Sequence, residues 1–340
     1  MQQPSRPATI HTVADAAGVS IASVSRVLNG LPTTQETVGK VLTAVEVTGY
    51  VPNAAAKSLK TNQSGQIAFA MENIGNAAYL AMVQAIQPAL RAAGFRLLLH
   101  STEADVNDEL ELLRSLRQGY VDGLILCPLR VTDELVEELA GAHVPVVVIG
   151  QLPEGCPVDN VRVDSPPGVA MAVRHLVEIG RRRIALVNGP LDTVPGRNRY
   201  HGFRAGLDAA GLEEDPDLVS STGFTLEHGA KAAKRLLQLP EPPDAILAAN
   251  DLMALGILQS IREAGLDVPT DVAVVGVDDT ELATAAWPPL SSVSLQARER
   301  GRLAAEMLLE RLDDPGRPPR WVSLEPRLVV RASSGDGAAS

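Results

Sequence analysis

The sequence predicts an N-terminal all-α head followed by an α/β body of two lobes with parallel sheets. Three short amphipathic segments separated by turn residues lie before residue 50 and predict the head. After residue 65, short apolar strands alternate with amphipathic helices, which is typical of parallel sheets covered by helices on both faces. The remaining length of about 280 residues is more than a single hydrophobic core usually serves, so we expect the body to divide into two lobes.

Composition excludes several classes of protein. The chain has 340 residues, 45% apolar and 21% charged, which is ordinary for a globular protein with a large core. No stretch approaches the ~18 uninterrupted apolar residues of a membrane span, and the first residues lack the pattern of a secretory signal. Two cysteines, Cys127 and Cys156, cannot form a disulfide framework. We therefore expect a cytoplasmic protein and exclude membrane, disulfide-rich, collagen-like and wholly disordered classes.

The net charge of −11 is unevenly distributed along the chain. Residues 1–62 carry five basic and three acidic side chains, a charge of +2, which leaves −13 for the rest of the chain. The acidic body would repel nucleic acid. Any DNA binding is therefore expected to be confined to the head and to weaken with salt.

The head has the signals of a helix-turn-helix unit. Residues 10–17 form the first predicted helix, which Gly18 ends because glycine adopts the left-handed conformation at little cost. Ser20 is predicted to cap a second helix, Ile21 to Leu28, and Thr34 a third. Two short helices joined by a tight turn with a third across them form helix-turn-helix geometry. The pattern alone fits equally well a small helical bundle that binds nothing.

Several short runs in the head narrow this choice. Gly-Val-Ser, Val-Ser-Arg-Val-Leu-Asn, Gly-Tyr-x-Pro-Asn and Ala-x-Ser-Leu-Lys follow one another in an order and spacing that closely resemble the DNA-binding head of the LacI/GalR family of bacterial repressors. The resemblance implies a double-stranded DNA partner, with Ile21 to Leu28 as the recognition helix in the major groove. It implies base contacts at Ile21, Ala22 and Arg26. It implies phosphate or capping roles for Ser20, Ser23 and Ser25, and a further DNA contact at Asn29.

The segment from Asn53 to Lys60 is too short to be stable as an isolated helix, so we expect it to order only with a partner. In the family this segment is a hinge helix that forms on DNA beside its twin in the dimer. The resemblance implies that Leu59 wedges into the central minor-groove step, although a lone leucine in a linker is usually a packing residue. The implied DNA contacts in this segment are Asn53, Ala56, Lys57, Leu59 and Lys60.

The apolar segments of the body predict its strands and its division into lobes. The predicted strands are 66–71, 95–100, 122–127, 145–150, 183–188, 244–249 and 271–277. The predicted boundaries are a head at 1–52, a hinge and linker at 53–64 and a body at 65–332. Within the body, lobe 1 is predicted at about 65–162 and 292–320, and lobe 2 at about 163–291 and 321–332. Residues 333–340 are small and polar and are predicted to be a disordered tail.

Polar residues follow several predicted strands, and ligands bind beyond the carboxyl ends of parallel strands. This rule nominates the polar residues at the ends of four strands, which are Glu72, Asn73 and Asn76, Gly150-Gln151, Asn250-Asp251 and Asp278-Asp279. The alternative is that such residues merely cap the following helices. Asp251 is the foremost candidate for a cap because it opens a helical segment.

The segments GPLDTVPGRNRYHGF, AANDLMALG, VPTDVAVVGVDD and WPPLSSV resemble the effector domain of the same family, which is related to periplasmic sugar-binding proteins. The resemblance extends over nearly the whole chain. It implies that Arg199 contacts ligand hydroxyls with Asn250 and Asp278 as polar partners, that Phe224 stacks on the ligand, and that Asn76 and Tyr79 contribute from the first lobe. Charge-assisted hydrogen bonds around an aromatic platform suit a sugar. The alternatives are a surface salt bridge for Arg199 and core packing for Phe224.

The chain departs from the family pattern at three ligand positions. Gly150 stands where sugar-responsive relatives often carry an aspartate, so either Gln151 compensates or the ligand differs. Thr193 and Pro195 replace polar contacts used by purine-responsive relatives, which favours a sugar or sugar phosphate over a nucleobase. No phosphate-binding loop, nucleophile elbow or zinc motif occurs in the sequence, so no catalytic residue, metal or cofactor is expected.

These observations predict a ligand-responsive DNA-binding transcriptional regulator, a repressor that binds a near-palindromic operator as a homodimer at the nucleoid. A small sugar or sugar phosphate between the lobes is expected to control it. A nucleobase- or nucleoside-responsive repressor is the alternative within the family, and a solute-binding protein is a more distant one. An enzyme is disfavoured because no nucleophile–base constellation is found.

We expect Arg26→Ala to lose about 1–3 kcal/mol of discrimination at one base position, because the arginine fork can donate two hydrogen bonds to a guanine. Arg26→Lys is the control, since lysine keeps the charge for phosphates but lacks the planar fork. Dissociation constants for an operator and its single-base variants measure the effect. An unchanged preference among the variants would refute the assignment of Arg26.

Overall fold

A computed structural model of the chain describes residues 8–51 and 63–335. The chain divides into two units, Met1–Ser64 and Gly65–Ser340. No helix within the described residues has the length and the hydropathy that a membrane crossing requires.

The first unit contains the predicted helices α1 (Ile10–Ala17), α2 (Ile21–Leu28) and α3 (Gln35–Thr48). The side chains of Thr9, Ser20 and Thr34 each accept a hydrogen bond from a backbone N–H three residues further on, which caps the three helices. Gly18 and Gly49 end α1 and α3 in the left-handed conformation, with φ of 65° and 62°. The predicted helices and the capping roles of Ser20 and Thr34 are confirmed.

The three head helices share one small core. Val13, Val24 and Val41, one from each helix, are fully buried at its centre beside Ala14 and Ala44. This packing uses only one face of each helix. The opposite face of α2 is therefore available to solvent.

The second unit contains two six-stranded sheets. The strands of the first sheet are β1 (Gln66–Met71), β2 (Arg96–Ser101), β3 (Gly123–Leu126), β4 (Val146–Ile149), β5 (Asp159–Val163) and β11 (Trp321–Leu324). The strands of the second sheet are β6 (Ile184–Asn188), β7 (Val219–Ser221), β8 (Ala245–Ala248), β9 (Ala273–Val277), β10 (Ser291–Ser294) and β12 (Arg327–Val329). The first sheet has the order β11-β5-β4-β3-β1-β2 and is parallel throughout. The second has the order β12-β10-β9-β8-β6-β7 and is parallel except for β12.

Helices cover both faces of the sheets, as the buried strands require. The helices are α4 (Ala77–Ala92), α5 (Val106–Ser115), α6 (Asp133–Ala140), α7 (Ser165–Glu178), α8 (Val194–Ala209), α9 (Leu226–Leu237), α10 (Asp251–Glu263), α11 (Glu281–Ala285) and α12 (Ala297–Asp313). In β1, Ile67 and Phe69 pack into the core with α4 and α12, whereas Ala68 and Ala70 face the core with α5 and α6. This alternation is the period of two that distributes a strand between two cores.

The expected fold class is confirmed, and the seven predicted strands are present as β1–β4, β6, β8 and β9. The sequence analysis did not predict β5, β7, β10, β11 or β12. These strands are three to five residues long, and several carry serine or arginine, so their own composition is a weak signal. Hydrogen bonding to neighbouring strands of the sheet defines them, and for β11 the neighbour, β5, is about 160 residues away in the chain.

The structure differs from the expected lobes near the carboxyl end of the chain. Residues 321–332 were expected in lobe 2, but β11 pairs with β5 in the first sheet, with Trp321 opposite Asn160. Residues from 292 onward were expected in lobe 1, but β10 pairs with β9 in the second sheet. The hydrophobic pattern shows that a segment is a strand but does not show which sheet provides its hydrogen-bonding partners. The chain therefore passes between the lobes near residues 164, 295 and 325.

The prediction of a disordered tail is wrong for residues 333–335. Ser333 and Ser334 are fully buried. The Ser333 hydroxyl donates to the carbonyl of Val274 at 2.6 Å and accepts from the backbone N–H of Ser291 at 2.8 Å. The small side chains fit a confined space while their hydroxyls pair with buried polar groups. Residues 336–340 lie outside the described residues.

We expect removal of residues 333–340 to lower the Tm by roughly 5 °C or more, because Val274 and Ser291 would lose hydrogen-bond partners for buried backbone groups. Removal of residues 336–340 alone is the control, since it retains these hydrogen bonds. Calorimetry of the two truncated proteins measures the difference. Equal Tm values would contradict a structural role for Ser333 and Ser334.

Candidate functional site

A cavity of about 120 Å³ lies between the two lobes, at the carboxyl ends of the parallel strands. All seven residues proposed as ligand contacts line this cavity, although they come from segments more than 200 residues apart. They are Asn76, Tyr79, Gln151, Arg199, Phe224, Asn250 and Asp278. The cavity wall also includes Glu72, Met82, Cys127, Asn198 and Arg300.

A buried ion pair dominates the second-lobe wall. The Nη2 atom of Arg199, on α8, lies 3.4 Å from Oδ1 of Asp278, which follows β9 directly. Both side chains are less than a tenth exposed. Burial raises the pKa of Asp278, whereas the guanidinium groups of Arg199 and Arg300 oppose that rise. The Nε of Arg199 has no hydrogen-bond partner in the described part of the chain, so this arginine retains a donor for a ligand.

Phe224 forms an apolar platform beside this ion pair. The guanidinium carbon of Arg199 lies 5.8 Å from the centroid of the phenyl ring, within the range of a cation–π contact. Gly189, at the end of β6, lets the ring approach the backbone, because a Cβ there would lie 2.0 Å from the ring. The surrounding chain therefore fixes the position of the ring before any ligand binds.

The side chain of Asn250 forms hydrogen bonds to the protein backbone as well as lining the cavity. Its Oδ1 accepts a hydrogen bond from the N–H of Met253 at 2.7 Å and caps α10, and its Nδ2 donates to the carbonyl of Phe224 at 3.0 Å. The side chain lines the cavity, but protein groups already occupy its oxygen and one of its donors. Asn250 therefore positions Phe224 as well as offering a polar edge to the cavity.

The expectation that Asp251 is the helix cap is wrong, because Asn250 occupies that position. The buried carboxylate of Asp251 accepts hydrogen bonds from the backbone and hydroxyl of Thr280 and from the hydroxyl of Ser292. Asp251 thus ties together the segments after β9 and in β10. Both residue types favour caps, so local sequence could not distinguish them.

In the first lobe, Asn76 caps α4 through a hydrogen bond from the N–H of Ala78 and also lines the cavity. The Oε1 of Gln151 accepts a hydrogen bond from Nδ2 of Asn198 at 2.6 Å, which joins the two lobes. Burial raises the pKa of the Tyr79 phenol well above its usual value and that of the Cys127 thiol to about 12. Both side chains are therefore neutral at physiological pH.

Two further contacts join the lobes beside the cavity. The carbonyl of Leu129 accepts a hydrogen bond from the N–H of Val194 at 2.8 Å. Arg130 donates to Asp192 at 2.8 Å. Together with the Gln151–Asn198 bond, they hold the lobes in the arrangement seen here. A change in the angle between the lobes would have to break them.

The sequence analysis missed Arg300, which contributes a cation to the cavity wall. The neighbouring charged residues, Arg298, Glu299 and Arg302, are typical of a helix surface that faces solvent. However, Arg300 lies three residues after the buried Ala297 and four before the buried Ala304, on the apolar face of α12. A charge on the apolar face is the signal that could have identified it. Within the described residues, no cluster of histidine, cysteine or carboxylate side chains could hold a metal ion.

The head presents α2 as its candidate DNA-contact surface. Ala22, Arg26 and Asn29 are exposed, and Ile21 is 41% exposed although it is apolar. Ser20 is exposed and caps the helix, and Ser23 and Ser25 are half-buried. Asn53, Ala56, Lys57, Leu59 and Lys60, together with the predicted hinge helix, lie outside the described residues.

Two of the exposed side chains already have partners within the head. The guanidinium of Arg26 donates to the carbonyl of Pro32 at 2.9 Å, and Nδ2 of Asn29 donates to the carbonyl of Ser25 at 2.7 Å. Arg26 thus secures the segment after α2 in the absence of DNA. The Nη1 group of Arg26 takes no part in this contact, so it retains donors for a base edge.

The comparisons with known proteins agree with this architecture. Residues 9–53 match the family of bacterial regulatory proteins, lacI family, and residues 173–334 match a periplasmic binding protein-like domain. The HTH-type transcriptional regulator CelR of Thermobifida fusca is 38% identical over 98% of this chain and 100% of its own length. The ribose operon repressor of Escherichia coli K12 is 35% identical over 96% of this chain and 100% of its own length. The chain therefore belongs to the LacI family of bacterial regulatory proteins and is a DNA-binding transcriptional regulator.

Solved structures with this fold include a lac repressor dimer bound to operator and an anti-inducer. It has a TM-score of 0.85 and 28% identity, and it covers 97% of this chain and 100% of its own. A complex of the transcriptional regulator CelR with cellobiose has a TM-score of 0.71 and 36% identity, over 96% of this chain and 99% of its own. These proteins share both the head and the two-lobed body with this chain.

We expect Asp278→Ala to weaken binding of any sugar that stabilises the wild-type protein by about 10- to 100-fold, because a charged acceptor and the partner of Arg199 are both lost. Asp279→Ala is the matched control, since Asp279 pairs with Arg331 and does not line the cavity. Calorimetric titration measures the affinities. A normal affinity in Asp278→Ala would remove this residue from the site.

Proposed function

We propose that this regulator is a repressor that binds a near-palindromic operator as a homodimer, and that a small sugar or sugar phosphate in the interlobe cavity controls operator binding. The observation that carries the proposal is the cavity itself, where Arg199, Asp278 and Phe224 converge in a protein that carries a helix-turn-helix head. The seven proposed ligand contacts and the α2 residues proposed to contact DNA are part of this proposal.

The chemistry of the cavity supports a sugar. A sugar ring has an apolar face that suits Phe224 and hydroxyl groups that suit Arg199 and Asp278. The volume of about 120 Å³ is close to that of cavities that accommodate a single six-membered ring. The CelR relative has been solved with cellobiose and another relative is named as a ribose operon repressor, which further supports a sugar class.

A nucleobase or nucleoside is the second candidate, and two residues weigh against it. The hydroxyl of Thr193 caps α8 by accepting from Gly196 and donates to the carbonyl of Pro190. It therefore has no free donor for a base edge. Pro195 lines the cavity but has no side-chain donor or acceptor. Neither of these two residues therefore offers a nucleobase a side-chain donor.

Control of DNA binding is proposed to work by population shift. A ligand in the cavity contacts both lobes, so it stabilises one angle between them over the others. Ligand binding and operator binding are coupled only if the ligand binds more tightly to one of two states, the state that binds DNA or the state that does not. In this proposal the segment 53–60 forms a hinge helix on DNA, and Leu59 wedges into the central base step.

The two-fold symmetry of a homodimer calls for a near-palindromic operator, with one α2 helix in each half-site. The proposed site of action is the chromosome, and hence the cytoplasm and its nucleoid. No enzymatic activity is proposed, because the relatives are transcriptional regulators.

The proposal is tested by selecting bound duplexes from a random DNA pool with the full chain at moderate salt. We expect enrichment of one near-palindrome with a flexible central step. The same selection with Arg26→Ala is the control and should relax one position in each half-site. A selection that enriches nothing, both without metabolites and with pooled sugars and nucleosides, would contradict the repressor function.

The selected operator then provides the probe for the ligand. We expect a sugar or sugar phosphate to change the operator dissociation constant of the wild-type protein by 10-fold or more, because the coupling free energy between two allosteric sites is typically about 1–3 kcal/mol. Fluorescence anisotropy of labelled operator measures this change. A response to nucleosides alone would favour the second candidate.

A further inference from the structure

Arg300 is a cation in the cavity wall that the contacts proposed above do not use. Its Nε is buried and has no hydrogen-bond partner in residues 8–51 and 63–335. In the same part of the chain, no carboxylate oxygen lies within 4 Å of its guanidinium nitrogens, and no protein acceptor receives a hydrogen bond from them. The residue as a whole is partly buried, and a buried donor such as this Nε is costly to leave without a hydrogen-bond partner.

The packing of α12 explains why Arg300 lies at this position. Gly301 allows α12 to rest directly on α4, since a Cβ at this position would lie 2.7 Å from the carbonyl oxygen of Met82. Ala297, Ala304 and Leu308 on the same face are buried in the first-lobe core. The close approach of the two helices holds Arg300 against the first-lobe side of the cavity.

The groups that surround Arg300 do not neutralise it. Tyr79 and the thiol of Cys127 are its neighbours, and burial keeps both of them neutral. Asp278 attracts Arg300 and opposes the lowering of its pKa by burial, but the ion pair of Asp278, at 3.4 Å, is with Arg199. The cavity thus holds two arginines that repel each other, one from each lobe, and only one of them has an ion-pair partner.

We propose that Arg300 is a specificity-determining residue that binds an anionic group of the ligand, so that the effector is a sugar acid or a sugar phosphate. This inference rests on the proposed function of the cavity as a sugar site. The sugar ring and its hydroxyls face Phe224, Arg199 and Asp278, while a carboxylate or phosphate faces Arg300. A guanidinium group is well suited to both anions, because it can donate two parallel hydrogen bonds.

The same arrangement gives the ligand charge a role in the control of the lobes. Arg199 belongs to the second lobe and Arg300 to the first, so an anionic group placed between them contacts both lobes. An anion between them attracts both guanidinium groups. Binding of the charged ligand therefore favours the closed arrangement of the lobes more than binding of its neutral parent does.

The inference is tested with matched sets of neutral and anionic sugars. The sets are glucose with glucuronate and glucose 6-phosphate, galactose with galacturonate and galactose 6-phosphate, and ribose with ribose 5-phosphate. Calorimetric titration of the full-length protein measures each affinity. We expect an anionic member of at least one set to bind 10-fold or more tightly than its neutral parent, and the carboxylate and phosphate members to show which anion is recognised.

Arg300→Met removes the charge and keeps an unbranched apolar side chain, and Arg300→Lys keeps the charge without the fork. We expect Arg300→Met to weaken binding of the preferred anion by about 10- to 100-fold and to leave the affinity for the neutral parent within about threefold. Arg300→Lys should restore part of the anion affinity. Arg302→Met is the matched control, because Arg302 lies on the same helix in exposed ion pairs with Glu299 and Glu306.

The melting temperature of the unliganded variants separates a binding role from a structural one. Arg300→Met should melt at the same temperature as the wild type or higher, because an unpaired charge is removed from the cavity wall. A lower Tm combined with unchanged anion affinity would make Arg300 a structural residue and overturn the inference. Neutral sugars that bind as tightly as their anionic counterparts would also overturn it and leave the proposed function standing. If neither class binds, both the inference and the sugar proposal fail.

Discussion

Both sheets of the body direct the carboxyl ends of their parallel strands toward the space between the lobes, and the candidate site depends on this constraint. Glu72 and Cys127 follow β1 and β3 in the first sheet, and Asn250 and Asp278 follow β8 and β9 in the second. Backbone polar groups at strand ends leave the ladder, so side chains there can be polar without disturbing the core. These side chains line one cavity because the carboxyl-end edges of the two sheets face each other across it.

In each lobe, a buried carboxylate with several hydrogen-bond donors holds distant segments of the chain together. In the first lobe, Arg311 on α12 forms a bidentate pair with the buried carboxylate of Asp159 on β5, and the N–H of Arg320 donates to the same carboxylate. This arrangement attaches both α12 and β11 to the first sheet, and a carboxylate with several donors can remain charged when buried. The helix held in this way, α12, also carries Arg300.

The second lobe uses neutral donors around a carboxylate for a similar purpose. Asp251 connects the start of α10 with Thr280 and Ser292, while burial raises the pKa of Asp251 to about 7. The loop after β9 is thereby held so that Asp278, with a φ of 106°, points to Arg199. A residue in this conformation persists only where its surroundings determine it, which is consistent with a ligand-binding role. The cleft is therefore preorganised on both sides, and the contacts between the lobes are fewer than those within them.

Local sequence patterns determined the head and most of the body. The caps at Ser20 and Thr34 and the apolar periodicities depend on residues within a few positions of one another, and the predicted helices and seven strands follow from them. The polar residues at strand ends follow from the rule for parallel sheets. Family resemblance added Arg199, Phe224 and Tyr79, which periodicity could not single out.

Only the tertiary structure decided which distant segments meet. The pairing of Trp321 with Asn160 and the burial of Ser333 beneath Ser291 and Val274 depend on partners far away in the chain. Asn250 caps the helix, whereas the carboxylate of Asp251 accepts hydrogen bonds from Thr280 and Ser292, which are distant in the sequence. Arg300 lies in the cavity wall because α12 packs against α4, a contact between helices from opposite ends of the body. The free energies of these contacts depend on burial and on hydrogen-bond partners, which exist only once the chain has folded.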